Sequence, residues 1–394
     1  MSSPPTPAQA SALGSAPAKA GLILTVLILG ATVANINTSI SNVALPSIAS
    51  ALNATDTELT GITDAYQLGI AATVLYLGAV GDRYGRKGML LLGALLCVPF
   101  SLASAWSPNA VFLIVAQIAV GVAGGMLYPT TLSMITALWR GKKLTGAIAL
   151  WTGLGTGASV LGPIMGGYLL DNYWWGSVFL ITVPFALLVL VMGAIILPRS
   201  RAAEKAPVDH AGGSLSVVMI SSFVLGIVML PQGITITVAI LFAVTLVSGT
   251  LFVWRQKRAP NPLFDLELAA VPTFWVAFVA GLVAFGALVG AMFIGQQFTQ
   301  NVLRYTPLHA VLLTLALAIG MLPASVFAGK LIGKRGTRFT FIIGLAFIAI
   351  GFVEMLITWR AGTAEVWVVL AYLLVGIGIG MAATPASRSL SASL

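Results

Sequence analysis

GAVGDRYGRKG, residues 78–88, packs four charges and four glycines between two long apolar runs. A turn of similar make-up, GKLIGKRGTRF, recurs at 329–339. Each turn is followed by a glycine-rich apolar segment with a Gly-Met and a nearby proline: VGVAGGMLYP at 120–129 and VGIGIGMAATP at 375–385. Two copies of one pattern predict two homologous helical bundles.

Outward from these turns the chain is a series of apolar stretches. A helix of about 20 apolar residues crosses a hydrocarbon core of about 30 Å. Runs of that length lie near 21–45, 61–81, 89–106, 110–135, 146–169, 177–197, 214–231, 235–254, 273–297, 308–329, 339–359 and 367–387. The expected fold is therefore an all-α integral membrane protein. The composition agrees: 58% apolar residues, 8% charged residues and a mean hydropathy of +1.01 are far from those of soluble domains.

The basic residues give an orientation. With the N-terminus in the cytoplasm, the inner segments carry Lys19; Arg83, Arg86 and Lys87; Arg140, Lys142 and Lys143; Arg199, Arg201 and Lys205; Arg255, Lys257 and Arg258; Lys330, Lys334, Arg335 and Arg338; and Arg388. Only Arg304 and Arg360 fall on the other side. This is the bias of cytoplasmic loops towards Lys and Arg, and one spurious span would invert every later loop. The net charge of +9 is read as a topogenic signal and not as a nucleic-acid surface.

The segments follow from this. Residues 1–20, rich in Ala, Ser and Pro, read as a disordered cytoplasmic tail. Residues 21–197 form a six-helix bundle, 198–213 a cytoplasmic linker, 214–254 two intervening helices and 255–272 a second linker. Residues 273–394 supply equivalents of the first four helices only, so the second bundle reads as incomplete. Cys97 stands alone, and His210 and His309 are far apart, so no metal site is expected. There is no nucleophile–base constellation and no G-x-x-x-x-G-K-S/T loop, which argues against an enzyme and against direct ATP hydrolysis. No cofactor is expected.

These residues resemble the major facilitator superfamily, and within it the fourteen-helix drug:proton antiporter branch of multidrug efflux type, with 6 + 2 + 4 helices present and an apparent C-terminal truncation. Gly78, Asp82, Arg83, Gly85, Arg86 and Lys87 match its G-x-x-x-D-R-x-G-R-K/R signature. Gly153, Gly157, Gly162, Pro163, Gly166 and Gly167 in GLGTGASVLGPIMGG match the antiporter motif of helix five. NVALP at 42–46 and DAY at 64–66 match weaker branch signatures. The resemblance implies alternating access in a cell-membrane, multi-pass monomer that exports amphipathic compounds in exchange for protons. It also implies a conformational latch at 78–87 and a helix five that seals against leak.

Glycines four apart let helix backbones approach closely, and Pro163 removes one donor and favours a bend. Within the spans, only Asp64 and Glu354 are acidic, and a charge there costs about 2.5–3.5 kcal/mol on insertion scales. Both are candidates for proton coupling. Where the branch usually carries an intramembrane Asp in helix one and an Arg in helix four, this chain has Asn37 and Gln117, which do not titrate. Loss of both together leaves no half-pair to bury. Asn37, Tyr66, Gln117, Tyr128, Trp151 and Gln297 are candidates for a cavity that orients a small-molecule substrate, with aromatic faces for lipophilic cations. Two rival readings stay open at this stage: a truncated, non-transporting interaction or sensor protein, and a uniporter or symporter of a small metabolite.

Overall fold

The computed structural model describes residues 19–198, 200, 207–264, 266 and 271–392. The N-terminal tail up to residue 18, and Arg199, Arg201 and Lys205, lie outside the described residues.

Among the described residues, twelve long α-helices follow one another: α1 (Ala20–Leu52), α2 (Asp56–Tyr84), α3 (Arg86–Ala105), α4 (Ala110–Leu138), α5 (Gly141–Asn172), α6 (Thr182–Ile196), α7 (His210–Met229), α8 (Ile236–Gln256), α9 (Pro272–Gln297), α10 (Pro307–Arg335), α11 (Thr337–Thr358) and α12 (Glu365–Ala392). Ten segments are long and apolar enough to cross a membrane, one of them joining α6 to the 3-10 turn Trp175–Ile181 before it. The two helices outside that set are α2 and α5, and α2 carries Asp56, Glu58, Asp64 and Asp82. Several helices outrun the expected spans by a turn or more, α1 reaching Leu52 rather than 45.

Local chemistry sets the helix ends. Thr55 and Glu58 form a reciprocal capping box at the start of α2. Asn109, Asp209, Thr235 and Thr306 each accept a backbone N–H at the start of α4, α7, α8 and α10. Gly85 (φ 138°) separates α2 from α3, and Gly336 (φ 84°) separates α10 from α11. Each is seven residues after the first glycine of its turn, so the two loops break the helix at the same place with the residue that tolerates positive φ.

The repeat extends into the packing. A Cβ on Gly93 would lie 2.9 Å from the Ala123 carbonyl oxygen, and one on Gly344 would lie 2.9 Å from that of Gly378. Glycine lets α3 meet α4, and α11 meet α12, backbone to backbone at matching positions.

The chain divides into two compact units. The first holds residues up to Ser41, Ser47–Met165 and Trp174–Phe264; the second holds Asn42–Pro46, Gly166–Tyr173 and the chain from Asp265 onward. The first is built around Leu27, Leu90, Val120, Leu127, Trp151 and Val189. The second is built around Leu317, Ile348, Tyr372 and Val375.

Helices α7 and α8 belong to the first unit. They pair through the Ser222 and Thr245 hydroxyls at 2.9 Å. Asp209 is only 7% exposed, caps α7, pairs with Arg255 at 3.0 Å and accepts from the Gln256 amide at 3.2 Å. The Gln256 carbonyl in turn accepts the backbone N–H groups of Leu263 and Phe264. His210 fixes α7 to α2, with Nδ1 at 2.8 Å from the Tyr76 hydroxyl and its ring stacked on Tyr84.

Candidate substrate and coupling site

In the first unit the polar residues of the cavity set separate into two kinds. Asn37 is 3% exposed and satisfied: its amide donates to the Val33 carbonyl at 3.0 Å, and its oxygen accepts from the Thr182 hydroxyl at 3.1 Å. It ties α1 to α6. Tyr66 is also committed, donating to the Ala34 carbonyl at 2.8 Å. Trp151 donates to the Thr131 hydroxyl at 3.1 Å, and its ring lies 5.2 Å from that of Tyr128. Tyr128 is 37% exposed, so this aromatic pair offers one accessible face.

Gln117 is different. It is 1% exposed, and neither its nitrogen nor its oxygen has a hydrogen-bond partner among the described residues. A buried amide without partners costs free energy that a ligand or water recovers. Register puts Asp64 at the same depth, because Gly61 meets Ile114 and Gly69 meets Gly121 along the α2–α4 seam. Asp64 is partly buried and forms no ion pair with a described residue.

The basic turn forms a compact network. Asp82 accepts from Arg86 Nε at 2.6 Å and from the Ser133 hydroxyl of α4. Arg86 also donates to the Ser200 hydroxyl at 3.2 Å, and its backbone N–H donates to the Ser200 carbonyl. Lys87 donates to the carbonyls of Ala194 and Leu197 at 2.7 and 2.8 Å, a cation on the C-terminus of α6. Asp82 thus pairs with its chain neighbour Arg86 and reaches across to Ser133 of α4, while Lys87 caps the carbonyl end of α6. A Cβ on Gly78 would press on Pro129 at 3.3 Å. Arg83 is partly buried beside this network.

In α5, a Cβ on Gly162 would meet Ile36 of α1 at 3.4 Å. Pro163 is inside the helix and buried, as are Gly166 and Gly167. Gly153 and Gly157 lie on the same helix.

In the second unit, Gln297 accepts from Asn301 at 2.7 Å across the π-turn Phe298–Val302, while Gln296 accepts from Gln300 at 2.8 Å. One Glu354 oxygen accepts from Thr358 at 2.7 Å. The other is buried and unpartnered, as are Trp359 Nε1 and the Tyr372 hydroxyl. Trp359 stacks on Phe298 at 4.7 Å and meets the Tyr372 ring edge-on at 5.9 Å.

A carboxylate, Asp64, and an unsatisfied amide, Gln117, thus lie at one depth of the helical bundle. The Major Facilitator Superfamily model matches residues 27–394. The chain belongs to this superfamily. It is a multi-pass membrane transporter, not an enzyme.

Among superfamily relatives, the chain is 34% identical over 384 residues to the multidrug efflux pump LfrA of Mycolicibacterium smegmatis, covering 96% of this chain and 75% of that protein. It is 30% identical to the methyl viologen resistance protein SmvA of Salmonella typhimurium, covering 94% and 77%. It is 29% identical to the multidrug resistance protein Stp of Mycobacterium tuberculosis, covering 88% and 65%. Solved structures agree on the fold: a POT peptide transporter with sulfate gives a TM-score of 0.66 at 16% identity, covering 98% of this chain and 91% of that one. The xylose transporter XylE from E. coli gives 0.61 at 16%, covering 94% and 84%.

The residues missed in the sequence are Thr182, Ser133, Ser200 and the Asp209–Arg255–Gln256 cluster. Small hydroxyls in apolar or loop context carry no periodic signal. Asp209 and Arg255 stand at the two ends of one hairpin, 46 residues apart, and only packing joins them.

Proposed function

We propose that the chain exports amphipathic, cationic compounds from the cytoplasm in exchange for protons, by alternating access, as a monomer in the cell membrane with its N-terminus inside. The observation that carries the reading is the run of similarity to drug efflux pumps along 96% of the chain. Asp64 takes the proton, since a partly buried carboxylate without an ion-pair partner is stabilised by protonation when it faces an apolar surround. Gln117, at the same depth, orients the substrate, and the exposed face of Tyr128 stacks on it. Glu354 is a second proton site. The 78–87 turn acts as the conformational latch and α5 as the seal. The orientation is supported by the loop distribution of Lys and Arg. The energy source is the proton gradient; each charge moved across 100 mV is worth about 2.3 kcal/mol.

The test uses everted vesicles and methyl viologen as a dicationic probe. An acid lumen should drive uptake that collapses when the gradient is dissipated. Uptake indifferent to the gradient would replace antiport by uniport, and uptake driven by an acid bath would replace it by symport.

A further inference from the structure

A groove of about 470 Å³ runs along the second unit between α10, α11 and α12. Ile319, Pro323, Phe327, Ile343, Phe347 and Ile377 line it, without an ionisable group. From Ile319 to Leu331 it follows α10 for about 18 Å at the helical rise per residue. Phe327 is 58% exposed.

In the first unit α7 lies over the matching place. Tyr76 stands two residues before Gly78, as Phe327 stands two before Gly329. Tyr76 is covered by α7, with Gly213 packed against its ring and His210 at its hydroxyl. No described residue does the same for Phe327.

One end of the groove is cationic. The α10 face that carries Leu331 continues three and four residues on to Lys334 and Arg335, both exposed. The Arg335 guanidinium lies over the Phe339 ring at 5.0 Å, one turn before Ile343 on the α11 wall. This places a cation at the mouth of the groove. Among the described residues neither Lys334 nor Arg335 has an acidic partner. The counterpart of Arg335 in the first unit is Tyr84, which stacks on His210.

We propose that this groove is a binding site for an anionic phospholipid, one fatty-acyl chain lying along α10 and the phosphate held by Arg335 and Lys334. Apolar burial supplies the seat and the two cations supply headgroup selection. The assignment is independent of what the protein transports.

The test is native mass spectrometry of the delipidated full chain in neutral detergent. It is titrated with phosphatidylglycerol, with phosphatidylcholine of the same chains, and with chain-free glycerophosphoglycerol. Each cation should favour the anionic lipid by about fivefold. Lys334→Gln with Arg335→Gln, at exposed positions, should abolish the preference while leaving the unfolding temperature without lipid unchanged. Ile343→Trp should lower occupancy by both lipids; if that variant does not fold, Ile319→Trp at the 64% exposed far end serves instead. A photoactivatable acyl chain should label the groove walls, residues 319–347 and 373–381. Preference for phosphatidylglycerol that survives the double substitution overturns the proposal, as does labelling elsewhere. Glycerophosphoglycerol binding as tightly as the lipid would make this a free-phosphate site and overturn it too.

Discussion

Gly69 of α2 and Gly121 of α4 face each other so closely that a Cβ on Gly69 would lie 2.8 Å from the Gly121 Cα and collide with the Ile118 carbonyl oxygen. The same relation recurs in the second unit, where a Cβ on Gly320 would collide with the Leu373 carbonyl and one on Gly376 would lie 2.9 Å from the Leu317 Cα. Without an apolar driving force between helices in lipid, such backbone proximity is a main source of cohesion.

Gly69→Val therefore destabilises the first unit by at least about 1–3 kcal/mol, since only backbone can yield. Gly281→Ala in α9, where nothing lies within 4 Å, gains about 0.5–1 kcal/mol from helix propensity. Unfolding temperatures in detergent should move in opposite directions; equal losses would refute the packing argument.

Asn37 and Gln117 should part company under the same substitution. Asn37→Leu removes the acceptor of Thr182, a hydroxyl with 0% exposure, and costs about 1–3 kcal/mol. Gln117→Leu removes two unpartnered polar atoms and holds or raises stability while lowering flux. Paired melting and vesicle uptake measurements check both; a destabilised Gln117→Leu protein would mean that its amide is a packing element.

Asp64→Asn should fold and still bind substrate, yet reduce gradient-driven uptake to that of empty vesicles. Asp64→Glu should retain part of it. Full gradient-driven uptake by Asp64→Asn would move coupling to Glu354 or eliminate it.

Glu58 gives a pH signature outside the membrane. The Thr55 backbone N–H, and then its hydroxyl, hold the carboxylate below its ordinary glutamate value. A depressed pKa contributes stability above the unfolded value that is lost as pH falls through the folded one. The hydrogen-exchange protection factor at the start of α2 should fall as pH drops below the ordinary glutamate range; Glu58→Gln should remove that dependence, and Thr55→Ala, which keeps the backbone donor, should only weaken it.

The helices were legible because each apolar run satisfies its own backbone and needs little from elsewhere. The repeat was legible because glycine at a backbone contact has no substitute. Asn37 was not: an amide in an apolar run looks the same whether it faces substrate or, as here, Thr182 of α6. The basic turn was half legible, since Arg86 and Asp82 are neighbours on the chain, whereas Ser133 and the Ala194 carbonyl are brought in only by packing.

The clamp of Asp209 and Gln256 has a mechanical consequence. Because it closes both feet of the α7–α8 hairpin and grips the chain at Leu263 and Phe264, the hairpin is ballast carried by the first unit. The chain is therefore held to the hairpin as far as Phe264, which is where the first unit ends.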